Sequence, residues 1–244
     1  MSEAREKRVF DTPRILYEDN HVIVALKEPN LLTQEDSTGD QDMLSLLKAY
    51  IKEKYEKPGE VFLGLVHRID RPVGGLLCFA RTSKAAARLA LQIRDRSLGR
   101  EYVLVAQGDA PDQITLRDHL IKDEETNMVK VVPSYLHQGK EAVLHLRTVV
   151  RREGLSLVCV QLETGRAHQI RVQMAAAKLP LWGDHRYGQG QRGEQIALWG
   201  MRLKMLHPIT GKQMVFLAPP PDTGIWQRFR RELIGLEAIW PDIT

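Results

Sequence analysis

A chain of 244 residues, 43% hydrophobic and 27% charged, has the length and balance of a globular protein with a substantial core, and none of its apolar runs is long enough to span a bilayer. The polar, mixed-sign start from Met1 to Lys7 lacks the apolar centre of an export signal, and Cys78 and Cys159 sit far apart in apolar segments without zinc-like spacing, which points to a reducing cytoplasm and to no metal. A net charge of +4 permits a polyanionic partner without requiring one.

Residues 1–13 read as a flexible N-terminal segment. Ile15 to Lys27 reads as two short strands around Glu18-Asp19-Asn20. Gln41 to Lys54 carries Met43, Leu44, Leu47, Tyr50 and Ile51 at helical spacing, and Pro58-Gly59 ends it. An apolar strand from Val61 to Val66 runs into His67-Arg68-Ile69-Asp70, and Gly74-Gly75 precedes a second strand, Leu76 to Ala80. Thr82 or Ser83 caps a helix from Lys84 to Arg94, and Glu101 to Ala106 is a strand. Ile114 to Pro133 reads as irregular. Val143 to Val150 and Leu155 to Leu162 form a hairpin turned at Arg152-Glu153-Gly154. Thr164 is positioned to cap a helix from about Ala167 to Lys178. Ile196 to Leu206 and Met214 to Leu217 make another hairpin, and a short helix near Ile225 to Ile234 turns Trp226, Phe229 and Leu233 inward. Many strands joined by short turns predict an α+β fold with a mostly antiparallel sheet.

Three segments stand out as chemistry, the third being Arg100-Glu101-Tyr102 at the start of a strand, where a tyrosine is most often plain sheet surface or core. In the first, an apolar strand ends in His67, Arg68 and Asp70, followed by Pro72 and two glycines; functional side chains often sit on such rigidly held strand ends. In the second, Gly165 opens a helix whose first turns carry Arg166, His168, Gln169 and Arg171, a cationic helix start suited to an anion. Taken singly, a surface turn and an ordinary helix start explain these segments as well. Arg and Lys recur from Arg68 to Arg100 and again from Arg166 to Arg192, so the two regions make a basic cleft if they meet in space.

Together these segments resemble the RluA-type RNA pseudouridine synthases. His67 to Ala86 reads HRIDRPVGGLLCFARTSKAA and is similar to that family's HRLD…GLL signature. Thr164 to Gln173 is similar to its TGRTHQIRVH segment, with Ala167 and Gln173 as departures, and Val73-Gly74 stands where Thr-Ser is common. Arg100-Glu101-Tyr102 matches its K/R-x-Tyr segment, Ile15 to Lys27 its opening motif, and Gly183-Asp184 with Tyr187-Gly188 its GD..YG loop.

The resemblance implies a bent mixed sheet with flanking helices and a central catalytic cleft. It implies isomerisation of uridine to pseudouridine in ribosomal or transfer RNA, with Asp70 as nucleophile, Arg171 as its partner and Tyr102 against the uracil. Nothing is oxidised in that reaction, so no cofactor is expected. A nucleophilic carboxylate has to be ionised and aimed, and an arginine serves both ends. A stacked uracil is out of reach and has to be flipped out, and Arg68 matches the position that fills the gap. Arg71, Arg166 and His168 complete the expected RNA contacts. Longer relatives carry an S4 domain. Here the opening motif begins near Arg14, so no S4 domain is expected, and residues 14–240 are expected to bind RNA as one domain without an obligate protein partner.

Two other classes compete. An RNA-binding protein without catalysis would keep the basic cleft but drop Asp70, Tyr102 or Arg171, and all three are present. A glycosidase wants a second acid, for which Asp184 is the candidate. A nucleotide-phosphate enzyme fits poorly, since Gly188-Gln189-Gly190 lacks the Lys-Ser/Thr that grips phosphate.

Overall fold

Asp19 turns the first hairpin of the chain by accepting the backbone N–H groups of His21 and Val22. It joins β1 (Arg14–Glu18) to β2 (Val22–Lys27). The structure, a computed structural model, describes residue 10 and residues 12–243 apart from 137, 192, 239 and 242. The expected flexible start, residues 1–13, therefore lies largely outside the described residues, as does Arg192.

Helix α1 (Met43–Lys54) starts where the Asp42 side chain accepts the Ser45 N–H. Strand β3 is only Gly64–Leu65, shorter than the apolar run Val61 to Val66 suggests. Strand β4 (Gly74–Ala80) is buried throughout, and Thr82 caps α2 (Ser83–Arg94). Then come β5 (Gly99–Gln107), β6 (Gln113–Asp123), β7 (Met128–Val132), β8 (Lys140–Arg152) and β9 (Leu155–Leu162). The β6–β7 hairpin corrects the irregular reading of 114–133. Ile114, Leu116 and Leu120 alternate with Thr115, Arg117 and His119, but Asp118 stands on the apolar face, where it accepts from Gln173 Nε2, and Ile121 on the polar one, so the alternation that marks a strand is interrupted. Helix α3 runs from Gln169 to Ala176, and Thr164 does not cap it. Its N-cap is His168, held in the left-handed region at φ 51°, while the Thr164 hydroxyl donates to Gln169 Oε1. Strands β10 (Leu198–Leu206) and β11 (Gln213–Leu217) follow, then a 3₁₀ turn from Gly224 to Phe229 and α4 (Arg230–Ala238).

Among the described residues eleven strands form one sheet in the order β1-β2-β4-β10-β5-β9-β8-β6-β7, with β3 beside β4 and β11 beside β10. The pairing of β4 with β10 is parallel and the other pairings are antiparallel. Each face has its own core. Ala85 and Leu89 of α2 and Leu233 and Leu236 of α4 pack with Val24, Cys78, Val103 and Met201. Met43, Leu47 and Ile51 of α1 and Ile170 and Met174 of α3 pack with Phe79, Tyr102, Leu104 and Val158. Among the described residues no helix is long and apolar enough to cross a membrane.

The seam between β4 and β10 explains two oddities of the signature. Gly75 has φ 136° and lies against the Gly200 backbone, so a Cβ there would overlap it. A Cβ on Gly74 would overlap the Trp199 ring, so Trp199 occupies the space that a serine would need. His67 serves the same seam. β10 pairs with β4 at Gly74 and Gly75 and β3 pairs with it at Phe79 and Ala80; between them, Cys78 N–H donates to His67 Nε2 at 3.2 Å.

Burial, with Arg100 nearby adding to it, pulls the His67 imidazole down to about 3. The folded value lies below the unfolded one near 6.5. Stability is therefore lost as pH falls below 6.5 toward 3, because only the unfolded chain takes up this proton. This group alone should make the protein about 2 kcal/mol less stable at pH 5 than at pH 7. Urea unfolding at both pH values checks it: His67→Gln, which keeps an acceptor but does not titrate, should lose that much less on acidification. Equal losses in the two proteins would refute the assignment.

Candidate active site

Asp70 lies in the loop between β3 and β4, and the backbone on both sides of it is gripped. Thr33 Oγ1 donates to the Ile69 carbonyl at 2.8 Å, and Ile69 N–H donates back to Thr33 Oγ1 at 3.3 Å. Lys27, at the end of β2, is fully buried and donates to the carbonyls of Glu28, Leu31 and Arg71 at 3.1, 2.7 and 3.1 Å. Three acceptors match the three donors of an ammonium. Burial draws the Lys27 ammonium down to about 7 against the attraction of Asp70. The Val73 N–H closes the turn onto the Asp70 carbonyl at 3.0 Å. The carboxylate is left 26% exposed, facing a cavity of about 490 Å³.

Arg171 arrives from the first turn of α3. Its Nη1 is 3.3 Å from Asp70 Oδ2, but its stronger tie is elsewhere. Nε and Nη2 each stand 2.8 Å from an oxygen of Asp184, a bidentate fork buried on both sides. Asp184 also accepts the N–H groups of Arg186 and Tyr187, and the guanidinium lies over the Tyr187 ring, 5.1 Å from its centre. Burial pushes the Asp184 carboxyl up; the bonds and charge of Arg171 outweigh it and hold the group below the usual carboxylate range.

His168 Nε2 lies 4.0 Å from Asp70 Oδ2, and its Nδ1 is 2.7 Å from the Tyr187 hydroxyl. That hydroxyl accepts the Val129 N–H, which leaves its hydrogen for His168 Nδ1 and assigns the imidazole proton to Nε2, toward Asp70. Burial lowers the His168 pKa, with Asp70 opposing, so the ring is neutral near pH 7. Tyr102 projects from β5 into the same cavity. Burial and then Asp70 raise its phenol while Arg100 pulls the other way, so it stays protonated near neutrality.

Asp70, Tyr102, Arg171, Arg68, Arg166 and His168 therefore meet around one cavity. Arg68 is exposed on its rim, and Arg166 turns its Nε to the Glu141 carbonyl at 2.8 Å rather than to Asp70. Arg71 is not in this group. It pairs with Asp40 at 2.7 Å and lines a second cavity of about 780 Å³, which also touches Arg171 and Asp184.

Tyr187, Lys27 and Thr33 hold the arrangement without a site role expected from the sequence, and Asp184 holds it in a role other than the second acid for which the sequence made it a candidate. The loop of Asp184 and Tyr187 is visible in the sequence as a motif, but nothing local assigns it to Arg171. With its oxygens taken by Arg171 and two backbone donors, Asp184 has no capacity left to act as the second acid of a glycosidase. The geometry suits one aimed carboxylate acting on a flat ring against Tyr102.

Residues 21–176 match the family model described as RNA pseudouridylate synthase. The ribosomal large subunit pseudouridine synthase D of Zymomonas mobilis is 32% identical over 222 aligned residues, covering 85% of this chain and 69% of that protein. The protein of the same description from Neisseria meningitidis serogroup A is 34% identical over 224 residues, covering 85% and 58%. An uncharacterized RNA pseudouridine synthase of Bacillus subtilis is 34% identical over 213 residues, covering 85% and 68%. The human RNA pseudouridylate synthase domain containing 4 superposes with a TM-score of 0.71 at 18% identity, over 91% of this chain and 92% of that one, a likeness of fold.

Proposed function

The chain belongs to the RNA pseudouridylate synthase family, isomerases of RNA uridine, and on that premise we propose that it modifies a uridine of large-subunit ribosomal RNA through Asp70. Relatives named for that RNA favour it over transfer RNA. The observation that carries the catalytic reading is the chain of contacts Asp184–Arg171–Asp70 at the wall of a nucleotide-sized cavity.

In the reaction the C1′–N1 bond breaks, a C1′–C5 bond forms, C5 gives up its proton and N1 gains one. Asp70 supplies the negative charge that meets the ribosyl or uracil carbon as the glycosidic bond opens. Arg171 fixes the carboxylate oxygen it touches and is itself fixed by Asp184. Tyr102 stacks on the uracil and lies on the path of the C5 proton. Arg68, exposed on the rim, takes the place of the flipped base, while Arg166, His168 and, further out, Arg71 meet the RNA backbone. Residues 14–240 act as one catalytic domain, in the cytoplasm and without an obligate protein partner.

Mapping pseudouridine in ribosomal and transfer RNA from cells with and without the gene tests this reading. A large-subunit uridine should revert to unmodified in the deletion and be restored by the wild-type gene. An unchanged ribosomal map with a lost transfer-RNA site would move the substrate, and two unchanged maps would end the proposal.

A further inference from the structure

Arg100 and Tyr102 stand two residues apart on β5, so their side chains leave the same face of the strand. Both line the cavity that holds Asp70. Arg100 is only 9% exposed. A buried guanidinium is ordinarily matched by a carboxylate. Among the described residues the Arg100 guanidinium has neither an ion pair nor a hydrogen bond, and its Nε is buried without a partner. The guanidinium lies against Gly165, where a methyl group would collide with Nη1. Gly165 thus keeps open the place that the cation occupies.

The neighbours do not neutralise it. Tyr102 is protonated, Asp70 has Arg171, and His67 is neutral. Since His67 Nε2 accepts the Cys78 N–H, its Nδ1 carries the proton, and that buried donor too has no partner. His67 also lines the cavity. A desolvated cation beside an orphan N–H is half of an anion site. In RNA the matching anion is the phosphodiester; a uracil carbonyl would satisfy a hydrogen bond but leave the charge uncompensated.

We propose that Arg100 binds a phosphodiester next to the flipped uridine, inside the cavity rather than at its rim. The inference rests on the pseudouridine synthase reading. It separates Arg100 from Arg166, which meets backbone before the base has flipped, and from Arg68, which fills the gap that the base leaves. Arg100 meets it only when the nucleotide has entered, so this contact holds the extruded state.

The test is the salt dependence of kcat/KM on transcribed large-subunit ribosomal RNA, read as tritium released from 5-tritiated uridine between 50 and 200 mM KCl (a range of about fourfold in salt). For Arg100→Met the slope of log kcat/KM against log salt should be shallower by about 0.7, one phosphate's worth on a single strand, with kcat/KM down about tenfold at low salt. Arg100→Lys should keep the wild-type slope. Gly165→Ala, which displaces the guanidinium without removing it, should copy Arg100→Met and decides the matter if Arg100→Met fails to fold. A slope unchanged in both Arg100→Met and Gly165→Ala overturns the proposal, whatever happens to the rate. A wild type that binds the transcript but releases no tritium removes the functional reading instead; the salt slope of filter binding then decides for or against Arg100 by the same criterion.

Discussion

Asp70→Asn should abolish isomerisation, by on the order of 10⁴-fold or more, while the protein still folds and binds RNA. The substitution is isosteric and removes only the charge. The loop does not depend on that charge, because it is held through backbone atoms: Thr33 on Ile69, Lys27 on the Arg71 carbonyl, and the Val73 N–H on the Asp70 carbonyl. The side chain is partly exposed, so an amide there is not stranded in the core. The Asn oxygen can still meet Arg171, which keeps the cavity wall in place. Tritium release and a thermal melt of the same preparation check both halves. A variant that turns over near the wild-type rate would sink the assignment of Asp70, and one that does not fold would show that the loop needs the charge after all.

The larger structural effect is expected at Asp184. Asp184→Ala leaves the Arg171 guanidinium buried with only Asp70 to face, and breaking one side of such a pair costs about 3–5 kcal/mol. Two backbone N–H groups, of Arg186 and Tyr187, lose their acceptor as well. Activity should fall with stability, because Arg171 then has Asp70 as its sole anion and loses the fork that fixes its direction. Arg171→Lys separates the two effects. It keeps the charge but not the planar fork, so activity should drop steeply while less stability is lost than in Asp184→Ala. Denaturant unfolding and turnover on the three proteins check this. Asp184→Ala at wild-type stability would mean that the buried pair carries none of the load assigned to it. The pair also sets an acid limit: a carboxyl held below its ordinary value contributes stability above that value and loses it as pH falls through the folded one.

Much of the molecule is written locally. The two-residue turn of the β8–β9 hairpin places Glu153 and Gly154 at φ 52° and 71°, a conformation that Gly favours and that pins strand register over a few residues. Asp19, Asp42 and Thr82 close their turns and caps with neighbours two or three positions away. Such contacts depend on short stretches of chain, which is why hairpins, helices and the motifs bearing Asp70, Tyr102 and Arg171 are legible in sequence. The β6–β7 hairpin is not, since Asp118 and Ile121 interrupt the alternation of β6. Thr164 misleads for a related reason: a helix start satisfies its donors in more than one way, and packing selected Gln169 as the partner of Thr164.

Partners across the fold were decided only by the tertiary structure. Arg171 and Asp70 are 101 residues apart, and the sequence suggests their pairing by motif and charge alone. That the fork of Arg171 belongs to Asp184, that Arg71 faces a different cavity with Asp40, and that Lys27 spends its ammonium on three carbonyls has no periodic or local signature. Nor does the unmatched charge of Arg100. Periodicity reports which face of an element is apolar; which donor meets which acceptor is set by how the elements stack, and in a desolvated site that pairing fixes each side chain's charge and direction.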